Sequence, residues 1–404
     1  MSVEIVYYQQ LFEEAKALSS HVVALRRDFH SHPELSLQEF RTAQRIEEEL
    51  DLLQIPHRRV GPTGVLGVIR GERGGGGIVA LRADIDALPI YEVPRERSYC
   101  SQKDGVMHAC GHDGHAAMLL TAAKLLVAHR ADFGGEIRLI FQPAEEIGKG
   151  VQAFLAEDAV RDADRVFGMH SAPDLPCGVV CVKPGLNNAA VDQFTIRIQG
   201  KSSHVSTPQL GVDALYIASQ IVISLQAIVT RLSSPVEPLL IGVGTLHAGT
   251  TYNALAESAV LEGTTRTVSL ETRQRIRSLV EETAASISRL YGGEATLEWD
   301  DYASPVINDE EVCREAAAVF ETVLEPSHIH AERPLSLSGD NMAELLLSAK
   351  GAYAYLGTAS PSDPNTSLAL HTSSFDIDER ALPLGAFLHT SYALWWLREG
   401  QREK

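Results

Sequence analysis

The sequence predicts an α/β protein of two domains, and three observations carry that expectation. The chain has 404 residues, too many for one ordinary core. Strand-like runs alternate with amphipathic helical stretches from about residue 10 to 185, the pattern of βαβ units. From about Asn187 the order changes to β-α-β-β-α-β, that of a ferredoxin-like unit.

Taken in order, MSVEIVYYQQLFEEAKAL reads as a surface helix, since it has neither a basic stretch followed by an apolar one nor a membrane-length apolar run. Strands read at 64–69, 78–82, 137–141 and 165–169. The last three end in polar residues: Asp84 and Asp86 after IVALR, Glu145 and Glu146 after IRLIFQP, and His170 after RVFGM. Ligands of open α/β sheets gather beyond the carboxyl ends of strands, so three strands deliver carboxylates or imidazole to one rim. In the second pattern VDQFTIRIQG is a strand, 213–231 a helix, PLLIGVGTLHAG and AESAVLEGTTRTV two strands, 270–291 a helix and 294–299 the last strand. Helical and strand patterns resume from Asp309. The expected division is one domain of residues 1–186 and 301–404, interrupted by an inserted domain of 187–300.

Composition narrows the function. Apolar residues at 45% and charged residues at 22% are ordinary for a chain that folds throughout. The balance of 53 acidic against 35 basic residues gives −18, with no Lys/Arg cluster, so neither nucleic acid nor an anionic membrane is expected as a partner. The five cysteines (100, 110, 177, 181 and 313) are odd in number and scattered, which fits reduced thiols and a cytoplasmic location.

The densest chemical signal is MHACGHDGHAAMLL. Cys110 and His112 flank Gly111 just before a helix expected to begin near Asp113, and glycine permits the tight turn that aims both side chains at one point. Thiolate and imidazole both suit a borderline-soft divalent metal. His108 and His112, four residues apart, form a second-ranked ligand pair. In FQPAEE the adjacent Glu145 and Glu146 point differently, so one carboxylate can ligate a metal while the other faces an activated water. Asp86 is placed to orient a ligating imidazole. His170, and the distant His371 in LALHTSSFDID, complete a set that two metals sharing ligands would use in full.

Those blocks carry a resemblance. RRDFHSHPELS, LRADIDALPI, GVMHACGHDGHAAMLL, IRLIFQPAEE, VFGMH and GTTYNALAESAVLEGTTR, in this order and spacing, resemble the metallopeptidase family of aminoacylases and glutamate carboxypeptidases. The resemblance is to its amidohydrolase branch of N-acyl-amino-acid, hippurate and plant auxin-conjugate hydrolases. It implies a zinc-peptidase-like catalytic domain with a mixed sheet flanked by helices, and an inserted ferredoxin-like lid that also forms a homodimer. It implies two divalent metals per subunit, zinc first, with manganese, cobalt or nickel as alternatives, held by Cys110, His112, Glu146, His170 and His371. It implies Glu145 as the general base toward a metal-activated water, and Asp86 as support for a ligating histidine. His204 in GKSSHVSTP resembles the lid histidine that stabilises an oxyanion in its own or the partner subunit, while Asn253 and Arg266 resemble groups that hold a substrate carboxylate. The implied activity is cleavage of the amide bond of an N-acyl-amino acid or similar small amide.

The chain departs from that pattern at Ser206 and Gln209, at Gly339, Asp340 and Asn341, and at Leu255, Ala256 and Glu257, segments expected to line the substrate pockets. The alternatives are another C–N hydrolase on the same centre (a deaminase, carbamoylase, dipeptidase or carboxypeptidase), Cys110 as a covalent nucleophile served by His112 and Asp113, and an inactive scaffold. Retention of both glutamates with every proposed ligand argues against the scaffold.

Overall fold

The computed structural model describes residues 3–93 and 97–400. These divide into two compact units: residues 1–187, 307–334 and 341–404 form the larger, and 188–306 with 335–340 the smaller.

The larger unit is built on an eight-stranded mixed sheet. Its centre is four parallel strands, in spatial order Gly134–Gln142, Arg73–Asp84, Arg165–Pro176 and Gly351–Ala359. These strands read as near-continuous apolar runs because helices cover them and neither face meets water. His57–Val60 and Gly64–Arg70 extend one side antiparallel, and Val180–Cys181 with Ile329–His330 extend the other.

The helix His112–Ala128 packs at the centre, buried over most of its length, as is Leu382–Trp395, in which residues 382–394 are all buried. A helix apolar all round has no solvent face to spare, so both belong to the core. The N-terminal helix Val3–Ala17 is not merely a surface helix: Tyr8, Leu11 and Ala15 lie at 0–1% exposure in the same core. Their spacing of three and four residues forms one buried stripe on an otherwise polar helix.

Register explains how the strand ends align. Asp84 lies opposite Gln142, and Arg82 opposite Gly168. His170 therefore stands level with Asp84 at the rim, although its own strand runs on to Pro176. The sequence reading that ended this strand at Met169 misses that extension, which is held by pairing with Gly351–Ala359.

The smaller unit has strands in the order Glu294–Ala303, Ala190–Gln199, Ser258–Thr267, Leu240–Ala248, all antiparallel, with the helices Ala214–Arg231 and Leu270–Leu290 packed on them. In chain order this is the 4-1-3-2 arrangement of a ferredoxin-like unit. Asp213 caps its first helix by accepting from the N–H groups of Leu215 and Tyr216. That helix is long and apolar enough to cross a membrane by length and composition, and its face of Ile217, Ile221, Leu225 and Ile228 is buried in the unit's own core.

Candidate metal centre

The turn that joins the sheet to the central helix sets the site. Gly111 is at φ +93°, in the left-handed region, and a Cβ there would land on Ser171 Oγ. Only glycine satisfies both conditions, which is why Cys110 and His112 can flank it and turn to one point. His112 Nδ1 lies 3.0 Å from the carbonyl oxygen of Asp86 and 3.4 Å from Asp86 Oδ1. That donation places a proton on Nδ1, and the buried Nε2 faces Asp84 Oδ2 at 3.7 Å and Glu146 Oε1 at 3.9 Å; burial opposes the charge of the ring, but Asp84 and Cys110 outweigh it and hold His112 well above the usual histidine range.

His170 is prepared in the same way. Its Nδ1 donates to the carbonyl of Ser171 at 2.8 Å, and its Nε2 stands 3.4 Å from Cys110 Sγ. Burial and the neighbouring His115 hold it well below the usual histidine range, so its imidazole is neutral with a free lone pair. Glu146 donates its N–H to Asp86 Oδ2 at 3.0 Å, while Glu146 Oε1 is buried without a partner and Oε2 lies 3.4 Å from His371 Nε2. His371, half exposed and at φ +64°, is tied by its N–H to the carbonyl of Ala109.

Three overlapping groups result, with ligand atoms within 4.8 Å of one another: Cys110, His112 and His170; Cys110, Glu146 and His371; and His112, Glu145 and Glu146. Sharing of Cys110 and His112 between groups suits two ions side by side. The bare atoms His112 Nε2 and Glu146 Oε1 fit the same reading, since buried polar atoms are otherwise paired. Burial pushes the Cys110 thiol well up, and the Glu146 charge adds to it. A divalent cation is the species that would offset both, because it binds thiolate and carboxylate together.

A fourth group, Asp84, His112 and His115, has the right residue types but its atoms are already committed. Asp84 accepts from Arg82 at 2.7 Å and from His115 Nδ1 at 2.5 Å, and His115 Nε2 accepts the N–H of Ser171 at 2.9 Å. Burial opposes ionisation of Asp84, but His112, Arg82 and His115 outweigh it and hold the carboxyl well below its usual range. This chain continues through Ser171 Oγ to the carbonyl of Cys110 at 3.1 Å, so it braces the ligand turn. The sequence reading gave neither Asp84 nor His115 that part. The signal was present in the three-residue spacing of His112 and His115, which puts them on one helix face.

Asp86 sits beside His112 and Glu146. Burial again opposes its charge, yet hydrogen bonds with His112, Ser36 and the Glu146 N–H hold it below the usual carboxylate range. His108 does not join the ligands: it is in none of the groups, and burial pushes it down to about 4. Asp113 does not serve His112 either. It accepts from Arg26 Nε and His30 Nδ1, both at 2.7 Å, so the carboxylate beside His112 is Asp86 and not Asp113. Arg26 and His30 are i, i+4 on their helix, a polar pair on a buried face whose part was not read from the sequence.

In the smaller unit His204 is exposed, with Nδ1 2.7 Å from Ser206 Oγ, and it bridges to Ala254 next to the exposed Asn253. Gln209 is exposed on the same turn. Arg266 is elsewhere: it pairs with Val191, whereas Ser258, close to the His204 turn, pairs with Gln199 at the other end of the strand. At 3.3 Å per residue the eight-residue offset is about 26 Å. The C-terminal departures do not all face a pocket. Asn341 is buried and accepts from Gln142 Nε2 at 2.6 Å and Arg82 at 3.1 Å, and a Cβ at Gly339 would strike Val191.

Comparison with known proteins adds the following. The model of peptidase family M20/M25/M40 matches residues 80–394. The chain is 37% identical to an N-acetylcysteine deacetylase of Bacillus subtilis over 376 residues, 92% of this chain and 95% of the relative. It is 35% identical to thermostable carboxypeptidase 2 of Saccharolobus solfataricus over 395 residues, 96% and 98% of the two chains. A crystal structure of a dinuclear metal-binding peptidase of the M20 family from Bacillus subtilis superposes with a TM-score of 0.80 at 34% identity, covering 95% of this chain and 99% of that one.

Proposed function

The chain belongs to peptidase family M20/M25/M40 and is a hydrolase of amide bonds, and from that premise we propose that it releases the amino acid from N-acyl-amino acids. One observation carries the reading: a buried glutamate, Glu145, stands beside His112 Nε2 and Glu146 Oε1, buried atoms 3.9 Å apart that make no hydrogen bond and are spaced to hold metal. The similarity to a deacetylase of N-acetylcysteine and to a carboxypeptidase supports the substrate class, because both names describe cleavage next to an amino acid with a free carboxylate.

Cys110, His112, Glu146, His170 and His371 would hold two divalent ions, zinc first for a set with a thiolate and three imidazoles, with manganese, cobalt or nickel as alternatives. Such ions polarise the amide carbonyl and make water acidic enough to attack at neutral pH. Glu145 takes the proton of the attacking water as its oxygen bonds to the carbonyl carbon. When the C–N bond breaks, Glu145 returns that proton to the departing nitrogen, and the products are a carboxylic acid and an amine. Asp86 keeps His112 in the Nδ1–H tautomer through the whole cycle.

We assign His204 to the developing oxyanion and Asn253 and Arg266 to the substrate carboxylate, and we place these roles in a homodimer assembled through the smaller unit. What supports the dimer is that the His204 turn adjoins the Ser258 end of the strand Ser258–Thr267, from which Arg266 lies eight residues on, about 26 Å at 3.3 Å per residue and too far for one small amide to span. Two copies facing one another would offer both ends to each site. The cysteines are free, which supports a reducing, cytoplasmic location.

The test is release of free amino acid from N-acetyl and N-benzoyl substrates by enzyme stripped with chelator and reloaded with a single defined metal. Activity lost on stripping and restored by zinc, manganese, cobalt or nickel is expected. Full activity in the stripped enzyme, or no hydrolysis of any acyl-amino acid by the reloaded one, rejects the reading.

A further inference from the structure

The two glutamates of the site owe their position to a left-handed residue. The strand Gly134–Gln142 ends, Pro143 supplies no N–H, and Ala144 then sits at φ +55°, ψ +38°, fully buried. For a residue with a Cβ that conformation is strained, and it persists only where the surroundings fix it. Two carboxylates fix the segment through its backbone. Asp86 takes the N–H of Glu146, as described above, and the other is Glu39.

Glu39 lies just ahead of the helix Phe40–Leu52, far from the site in sequence and wholly buried. Its Oε1 accepts the N–H of Ala144 at 2.9 Å, and its Oε2 accepts the hydroxyl of the buried Thr63 at 2.7 Å. Both oxygens are therefore used, and the hydroxyl of Thr63 aims the carboxyl at Ala144. Burial pushes Glu39 up to about 7, the bonds from Thr63 and Ala144 pulling the other way and the Asp86 charge adding to the rise. A group held against such a penalty is held by what it does for its neighbours.

We propose that Glu39 is a positioning residue for the reaction: by binding the Ala144 N–H it locks the left-handed turn that presents Glu145 to the reacting water. The inference rests on Glu145 being the base. The work of Glu39 is geometric, and a misplacement of about 1 Å in a catalytic group can lower turnover about 10²-fold. Glutamine in place of Glu39 keeps an oxygen for Ala144 N–H and an amide for Thr63, whereas alanine keeps neither.

The experiment measures kcat, KM, bound metal and melting temperature for Glu39→Ala, Glu39→Gln and the double variant Glu39→Ala with Ala144→Gly. Expected for Glu39→Ala is a fall in kcat of about 10²-fold, with KM and metal content nearly unchanged. Glu39→Gln retains most of kcat. The double variant recovers part of it, since glycine adopts the left-handed turn without strain. A purely structural Glu39 would lower the melting temperature and leave kcat per metal-loaded enzyme within twofold, which overturns the proposal, as does a Gln variant as slow as the Ala variant. Should Glu39→Ala not fold, Thr63→Val removes only the aiming hydroxyl and is expected to lower kcat severalfold, with recovery on adding Ala144→Gly; an unchanged kcat rejects the proposal. Glu145→Gln, assayed in parallel, tests the base itself, so that failure of that reading shows as an active Glu145→Gln and failure of this one does not.

Discussion

In the larger unit the candidate residues other than the half-exposed His371 are buried or nearly so, and each is tied to a neighbour before any substrate arrives, whereas in the smaller unit His204 and Asn253 lie open on a turn. His112, His170 and Glu146 are each bound on the outer side to backbone or carboxylate, while His112 Nε2, Glu146 Oε1 and Asp86 Oδ1 make no hydrogen bond and His170 Nε2 faces Cys110, the arrangement of a site made rigid in advance. The His204 ring is hydrogen-bonded to Ser206 two residues on, and Arg266 is bound at its own strand to Thr264 and Thr265. The difference separates two tasks. Chemistry needs fixed lone pairs, while exposed turns tolerate change, and of the sequence departures Ser206, Gln209 and Glu257 are exposed whereas Ala256, Asp340 and Asn341 are buried.

The sharpest way to break that comparison is at Glu145. Glutamine has nearly the same shape and cannot take a proton, so Glu145→Gln is expected to lower kcat by about 10³ to 10⁴ with bound metal unchanged by elemental analysis. A near-normal rate would show that the buried region does not contain the base. On the open side, His204→Ala is expected to lower kcat about 10²-fold without changing metal content or melting temperature. Mixing inactive His204→Ala with inactive Arg266→Ala sharpens the point. If the two groups act across a dimer, random exchange restores about a quarter of wild-type activity, because half the dimers form and each has one intact site. No recovery in exchanged mixed dimers would mean that one and the same subunit supplies His204 and Arg266 to each site.

Much of the larger unit was legible because its signals are local. Strands buried on both faces read as apolar runs, and Cys110-Gly111-His112 and Glu145-Glu146 are short enough to be seen as units. The parts that were not legible depend on partners far apart in sequence. His170 was read at a strand end on the rim, but its strand runs on to Pro176 through pairing with Gly351–Ala359. Arg82 meets Asn341, and Ala144 meets Glu39, through contacts that no local pattern announces. The stripe of Tyr8, Leu11 and Ala15 was overlooked because charged and polar residues between them dominate the composition of their helix. In the smaller unit the alternation of helices and strands was plain, while the separation of His204 from Arg266 follows from strand pairing alone.

A smaller effect is expected at Asp86, which supports ligands and is not itself in a ligand group. Asp86→Ala removes the carboxylate beside His112 and the acceptor of the Glu146 N–H. Supporting residues of this kind change metal affinity about 10- to 100-fold, so titration with a competing chelator should show weaker binding, and excess metal should restore part of the rate. Unchanged affinity would mean that the buried region is less preorganised than its hydrogen bonds suggest.

The last prediction asks whether a buried, tied carboxyl also affects stability, and its sign can be worked out for Glu39. The folded protein holds Glu39 at about 7 against an ordinary value of 4.5, mainly through burial. Between those values the folded chain keeps a proton that the unfolded chain has lost, so this group makes stability fall as pH rises through that window. The penalty is absent below 4.5, complete above 7, and amounts to about 3 kcal/mol at 1.36 kcal/mol for each tenfold step in acidity. Glu39→Gln removes the titration and keeps both hydrogen bonds. Its melting temperature should exceed that of wild type by several degrees at pH 8, and the difference should shrink toward pH 5. Equal curves at all pH values would show that Glu39 is ionised in the fold at ordinary cost, and that the contrast with the exposed turn of the smaller unit is one of geometry and not of charge.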